Sequence, residues 1–425
     1  MLAQDDRPIS RFWLAFLLVA ALALRLGWGF VLPAEEETLK GLPDQAGYLE
    51  MAQNLVRGQG LMWVDRRFDD QTYAVRMPLY PLLVAACGAS VRALRVVQAF
   101  IDTSTVLAIY LLARRWLGAR PSIFAAAIVA VDPFLIYFSG LVLTETLFTA
   151  MLSWSLALLV TRQSFLWGGL VLSMSVLLRP SALLLPVTAG IASALANRPR
   201  PASTSRGWPL PVGTTMLLLA LLAMLPWVIR NRTVLGRWIW TTTNGGFVAY
   251  DGFNDDATGG SDQSALSSLE WNSRLRRLSE VQRNDLLQEE AWQWIENTWR
   301  ERPRRLFELT AAKIARTWSP VPLSAEFGSR RMYKAAAMVY TIPFALLIVV
   351  GLWKGIVPRA GKVFLVLPAV YITLVHAMSI GSLRYRVPVE PAMAVLASAG
   401  ALAVLSSLRL PIWRRSDPVP RSTAP

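Results

Sequence analysis

Pro78-Leu79-Tyr80-Pro81-Leu82-Leu83 opens an apolar run over residues 78–90, and whether that run crosses a membrane decides the topology of everything after it. The chain around it has 425 residues, 54% of them hydrophobic and only 17% charged. Several apolar runs approach the roughly 20 residues that a helix needs to cross a bilayer. The fold class that follows is an all-α polytopic membrane protein. The 78–90 run is too short to span. It reads as a helix lying in the interface or half inserted.

Working outward from it, spans are expected at about 12–32, 94–113, 121–138, 142–161, 165–178, 181–196, 208–229, 335–353, 362–379 and 387–408. Charge tests this. With the N-terminus inside, the cytoplasmic segments hold Arg7 and Arg11; Arg114, Arg115 and Arg120; Arg162; Arg198, Arg200 and Arg206; Lys354, Arg359 and Lys362; and Arg409, Arg414, Arg415 and Arg421. The short outside connections near 139–143 and 179–180 hold only Arg179. That is the positive-inside pattern. Counting 78–90 as a span would invert everything after it and put the arginine clusters outside. Ten spans with both termini cytoplasmic are therefore expected. Residues 1–229 form an N-terminal membrane module with a first outer loop over 33–93. A second outer region covers 230–334, and residues 335–425 hold C-terminal helices and a cytoplasmic tail.

Composition excludes some classes. The net charge of +15 belongs to those cytoplasmic loops rather than to nucleic-acid binding. A single cysteine, Cys87, permits no intramolecular disulfide, and nothing suggests a thiolate metal site. The first apolar run is long and lacks a small-residue cleavage site, so it reads as a span and not as a cleaved signal. Two long loops on one face suit an enzyme working there better than a channel or carrier.

In the first loop, Asp44 to Arg57 reads as a helix. Pro43 precedes it, Asp44 suits its N-cap, and Gly58 and Gly60 stop it. Tyr48, Met51, Ala52 and Leu55 recur on one face. Arg76 directly precedes the 78–90 helix, where it can reach a lipid phosphate or snorkel. The second loop opens at Arg230-Asn231-Arg232. Its Thr241–Gly246 and Tyr250–Asp256 stretches read as turns, and their spacing does not match an EF-hand. Residues 279–318 read as helical, with Phe307, Ala311, Ile314 and Trp318 on a face that would rest on the membrane surface.

Ionisable residues at membrane depth are functional candidates by default. Glu145, Asp132, Arg179, His376, Arg384, Arg386, Glu390 and Arg25 qualify, and most fall near outer span ends. Acidic Asp44 and Glu145 beside basic Arg76, Arg179, Arg384 and Arg386 describe a site for an anionic, lipid-anchored substrate. The arginines would hold a phosphate, and a carboxylate would take a proton from an attacking hydroxyl. Tyr48, Arg230, Asn244, His376 and Glu390 are further candidates.

The landmarks resemble the GT-C superfamily of membrane glycosyltransferases. The similarity is greatest to glycosyltransferase family 39, which includes protein O-mannosyltransferases and the lipid A aminoarabinose transferase. In order they are Asp44-Gln45-Ala46-Gly47-Tyr48, Arg76-Met77-Pro78-Leu79-Tyr80-Pro81, Leu143-Thr144-Glu145, Leu178-Arg179-Pro180, Pro226-Trp227-Val228-Ile229-Arg230-Asn231, Thr243-Asn244-Gly245-Gly246 and Arg384-Tyr385-Arg386-Val387-Pro388-Val389-Glu390-Pro391. The resemblance implies a GT-C fold and a sugar on a polyprenyl phosphate as donor. It implies inverting transfer to a lipid A, polysaccharide or protein acceptor at the outer face of a bacterial inner membrane. Asp44 would be the catalytic carboxylate and Glu145 the second acidic landmark, orienting the acceptor or holding a divalent metal such as Mg or Mn if one is used. Relatives often carry Asp-Glu where this chain has Asp44-Gln45. A polysaccharide polymerase or ligase of the same membrane class, and a lipid or solute transporter, are the competing readings. Oligomeric state, sugar, acceptor and metal dependence are not legible in the sequence.

Overall fold

A computed structural model describes residues 7–35, 39, 43–160, 164–196, 209–323 and 331–408. The expected cytoplasmic Arg162, Arg198, Arg200, Arg206, Arg409, Arg414, Arg415 and Arg421 lie outside the described residues. Among those described, the chain is helical apart from one two-stranded hairpin.

All ten apolar segments are helical. Six are long and apolar enough to cross a membrane: Arg11–Val31, Val91–Ala113, Val212–Leu235, Arg331–Lys354, Arg359–Ala377 and Leu383–Ser407. They belong to α1 (Arg7–Val31), α4 (Val91–Ala113), α10 (Pro209–Leu235), α15 (Arg331–Lys354), α16 (Arg359–Ala377), and α17 (Leu383–Arg386) running through a 3-10 turn into α18 (Glu390–Ser407). A seventh candidate is the pair α5 (Ala119–Ala130) and α6 (Pro133–Ser139), bent by 51°. The bend has a local cause: the Asp132 carboxylate caps α6 by accepting from Phe134 N at 2.8 Å and Leu135 N at 3.2 Å, and Pro133 takes the first helical position.

The segments expected as spans at 142–161, 165–178 and 181–196 are shorter helices, α7 (Glu145–Leu159), α8 (Phe165–Met174) and α9 (Leu185–Ala196). Among the described residues, length and composition thus credit six or seven spans, and the expected count of ten is not confirmed. The shortening is local. Residues 141–144 stay irregular ahead of Glu145. Arg179, preceding Pro180, is extended at φ −145° and ψ 126°, which separates α8 from α9. Exposed apolar stripes such as Phe12, Phe16 and Val19 on α1 and Val339, Leu346 and Val349 on α15 fit a lipid-facing surface. Helices α15 and α18 approach closely at Gly351 and Gly400, where a Cβ on either would strike the other helix's carbonyl oxygens.

The first outer loop is compact. Helix α2 (Pro43–Val56) starts where expected and buries Tyr48, Met51 and Ala52. It ends before Gly58 and Gly60, both at positive φ. Strands β1 (Trp63–Asp65) and β2 (Asp70–Thr72) pair antiparallel beside it. The 78–90 run contains the short helix α3 (Leu79–Ala86), which packs on α2 with Tyr80, Pro81 and Val84 buried.

The second outer region departs from its sequence reading in two places. Residues Gly245–Gly252 form a helix, α11, so the expected turn begins only at Phe253. Asp251 is buried and accepts from Ser261 Oγ at 2.6 Å and Asp262 N at 2.7 Å. After α12 (Leu269–Arg276), the expected 279–318 helix is two helices, α13 (Glu280–Glu301) and α14 (Pro303–Thr317), broken where Pro303 cannot continue the first. On α14 the face with Phe307, Ala311, Ile314 and Trp318 is exposed, while Leu309, Lys313 and Thr317 are buried. A small core of Phe68, Phe247, Leu266, Leu275 and Leu287 joins the hairpin to this region.

Arg25, a charge within the first span, is structural. Its Nε donates to Asp102 Oδ2 at 2.5 Å and its Nη1 to Ala130 O at 2.9 Å, tying α1 to α4 and to the bend after α5. Both side chains are fully buried. Replacing Asp102 by Ala leaves a buried uncompensated guanidinium and is expected to destabilise the protein by about 3–5 kcal/mol. Thermal unfolding in detergent should show a lowered midpoint for Asp102→Ala; an unchanged midpoint would refute the role given to this pair.

Candidate functional site

Five ionised side chains from five separated segments meet where α2 and α7 begin, beside α17. Asp44 enters from the first turn of α2, where the helix N-terminus favours a negative charge. Arg76 comes from the segment before α3, Glu145 from the first turn of α7, Arg179 from the extended link before α9, and Arg384 from α17.

Arg384 is the hub. Its Nε donates to Glu145 Oε1 at 2.5 Å and its Nη1 to Asp44 Oδ2 at 2.9 Å. The other oxygen of Asp44 accepts from Arg76 Nη2 at 2.5 Å. Glu145 Oε1 also lies 2.8 Å from Arg179 Nη2, and Arg179 Nε donates to Thr144 Oγ1 at 2.8 Å. Arg76 and Arg384 hold the Asp44 carboxyl well below the usual carboxylate range against the opposing effect of burial. Asp44 is therefore ionised at neutral pH. Its side chain remains 38% exposed, so its carboxylate stays open to a reactant, whereas Glu145 is completely buried.

Aromatic groups floor the cluster. The Arg76 guanidinium lies 5.3 Å from the Tyr48 ring centroid, and Tyr48 packs edge-on to Tyr80 at 4.9 Å. Tyr80 OH donates to Gln98 Oε1 at 2.8 Å. His376 stacks on Tyr385 with ring centroids 3.6 Å apart, beside Arg179 and Arg384.

Of the sequence candidates, the structure brings together Asp44, Glu145, Arg76, Arg179, Arg384 and Tyr48, with His376 at the edge. It does not join five others to the cluster. Arg386 is 1% exposed, pairs through Nε with Glu390 Oε1 at 2.7 Å and donates to Ser319 O at 2.7 Å, so neither it nor Glu390 joins the cluster. Arg230 donates to the carbonyls of Tyr73 and Leu61, each at 2.7 Å. Asn244 stands at the start of α11. Asp132 serves the α6 cap and accepts from Tyr340 OH at 2.9 Å.

Sequence reasoning missed Thr144, which orients Arg179, and Tyr385, which carries the His376 stack. Both adjoin residues already singled out, the one signal available. It also did not assign a task to Gln45. That side chain is buried and accepts from Val142 N at 2.8 Å, joining the helix of Asp44 to the link that leads into Glu145.

Among the described residues no three His, Cys, Asp or Glu side chains gather to hold a metal ion. The two carboxylates share Arg384 instead.

Residues 79–229, from α3 through much of α10, match the family described as dolichyl-phosphate-mannose-protein mannosyltransferase. The fold is similar to solved structures of an archaeal oligosaccharyltransferase from Archaeoglobus fulgidus. The structure with an inhibitory peptide and a dolichol-phosphate superimposes with a TM-score of 0.55 at 12% identity, covering 96% of this chain and 51% of that one. The apo form gives 0.53 at 13% identity, covering 95% of this chain and 51% of that one. The likeness is one of fold, the GT-C fold that the sequence led us to expect. With the long apolar helices, it describes an all-α, multi-pass membrane protein. The chain spans about half the length of those oligosaccharyltransferase structures. No curated protein matches it in sequence.

The approach to Arg384 has its own support. Gly381 N donates to Gly259 O at 2.8 Å, and a Cβ on Gly381 would strike the Lys313 backbone. The Lys313 ammonium is fully buried, lies 3.3 Å from the Phe253 ring centroid and has no hydrogen-bond partner. Burial pulls it down to about 7, partly offset by Asp251. A lysine lowered in the folded state binds fewer protons there than in the unfolded chain between about pH 7 and 10.5, so stability rises with pH across that window. Thermal unfolding from pH 7 to 10 should show this rise in the wild type and a flatter profile in Lys313→Met. Parallel profiles would contradict the burial of the amine.

Proposed function

We propose that this GT-C protein transfers a sugar from a polyprenyl-phosphate donor to an acceptor at the outer face of the membrane, with inversion, and that Asp44 is the catalytic carboxylate. The observation that carries this reading is the bridged cluster itself. It sets an ionised, accessible carboxylate beside three arginines, a net excess of one positive charge, at the end of membrane helices. Orphaned atoms there support a ligand: Arg76 Nε and Glu145 Oε2 are buried without hydrogen-bond partners. The dolichol-phosphate bound in the similar oligosaccharyltransferase structure and the mannosyltransferase family match support a lipid-linked donor.

In this reading the acceptor oxygen attacks the anomeric carbon while the bond from that carbon to the donor phosphate oxygen breaks. The bonding pair leaves on the phosphate and the acceptor proton passes to Asp44. Arg76, with Arg179 or Arg384, holds the phosphate charge as it develops. Arg384 supplies between Asp44 and Glu145 the positive charge that a metal supplies in other carboxylate sites. Glu145 orients Arg179 and Arg384, keeping its role at one remove from the acceptor.

The geometry also answers a difficulty. A carboxylate clamped by two arginines is a weak base. A phosphate bound to Arg76 competes for the guanidinium that most strongly holds Asp44 down. Donor binding thereby raises the basicity of Asp44 when a proton must be accepted.

The test is transfer of a mass-tagged sugar from a polyprenyl phosphate in membranes. Asp44→Asn should lower transfer by roughly 10²–10⁴-fold while the protein inserts and folds normally. Retained transfer would end the assignment. Movement of a lipid or solute without covalent product would favour a carrier.

A further inference from the structure

The second outer region reaches the site without placing a side chain in it. Glu280 is the first residue of α13, behind a capping box made by Ser279 and Gln282. Its carboxylate is 5% exposed, and both oxygens are spent on the first outer loop. Oε2 accepts from Tyr73 N at 2.7 Å, and Oε1 accepts from Ala74 N at 2.8 Å and from Thr243 Oγ1. The carbonyls of the same two residues are held from the same side. Ala74 O accepts from Thr243 N at 2.9 Å, and Tyr73 O accepts from Arg230 Nη1 at 2.7 Å. All four backbone polar groups of Tyr73 and Ala74 are thus fixed by residues beyond position 229. Two residues later the chain delivers Arg76 to Asp44.

A hydrogen-bonded carboxylate is a demanding choice for this task. It accepts from two adjacent amides at once, which an amide side chain cannot do with both its heavy atoms. The burial of Glu280 is made tolerable by the helix N-terminus it occupies and by Arg230 nearby.

We propose that Glu280, with Thr243 and Arg230, is a positioning residue: it clamps the backbone of Tyr73 and Ala74 so that Arg76 meets Asp44, and so sets the affinity of the site for the donor phosphate. The last clause rests on the donor reading above; the clamp itself does not. Arg230 and Thr243 thereby gain a role at one remove from the chemistry, through peptide groups rather than through substrate.

The test uses the full chain in nanodiscs, with hydrogen exchange read over residues 72–77 and binding measured for a polyprenyl monophosphate. Glu280→Gln should speed exchange at Tyr73 and Ala74 and weaken binding by roughly tenfold, the scale set by small displacements of a binding group. Placed on Arg76→Ala it should add no further loss. Thr243→Val should show the same effects in weaker form and Thr243→Ser should restore them, which keeps the test decisive if Glu280→Gln fails to fold. Unchanged exchange overturns the clamp. Losses that multiply in the double variant overturn its action through Arg76. If the wild type does not bind the polyprenyl monophosphate, the donor reading and the clamp's link to it both fall, while exchange still decides the clamp.

Discussion

The site depends on one guanidinium placed between two carboxylates. Asp44 and Glu145 come from the first turns of α2 and α7, and Arg384 holds one oxygen of each. Without it, two negative charges would face each other at the end of a helix bundle, one of them on a fully buried side chain. Such a pair is costly unless each charge is matched and hydrogen-bonded. Arg76 and Arg179 complete the matching from either side. The excess of one positive charge that remains is what the proposed donor phosphate would match.

The broken helices follow from the same need. Helical peptide groups satisfy themselves within a bilayer, and irregular backbone is tolerated only where protein or water covers it. The irregular 141–144 link leads into Glu145, and the extended Arg179 before Pro180 belongs to the cluster itself, whereas the bend at Asp132-Pro133 has its own local cap. The start of α7, the extended link before α9 and α17 supply Glu145, Arg179 and Arg384. The first outer loop supplies Asp44 and Arg76, and the second braces the first through Glu280, Thr243 and a small apolar core.

Much of this was legible in the sequence, for identifiable reasons. Hydropathy located the apolar helices because the 3.6-residue period and span length are written directly in residue type. Glu145, Arg179 and Arg384 stood out because charge at membrane depth is expensive, and Asp44 because it opens an amphipathic helix in the first long loop. What hydropathy gives is depth, and it does not give direction. Arg384 and Arg386 lie two residues apart at one depth, yet Arg384 points into the cluster and Arg386 into a buried pair with Glu390. Asp251 read as a turn residue but is the buried acceptor at the end of α11. Glu280 gave no sequence signal because it acts on the backbone of a segment about two hundred residues away.

The most direct measurement of the central claim is sugar transfer by an Arg384→Lys protein in membranes. Lysine keeps the charge and removes the planar fork that reaches both carboxylates. The bridging account predicts that transfer falls by roughly 10²-fold or more, the cost of misplacing a reacting group by about an ångström, while the protein remains folded. Transfer at the wild-type rate would show that positive charge alone suffices and would contradict the bridge.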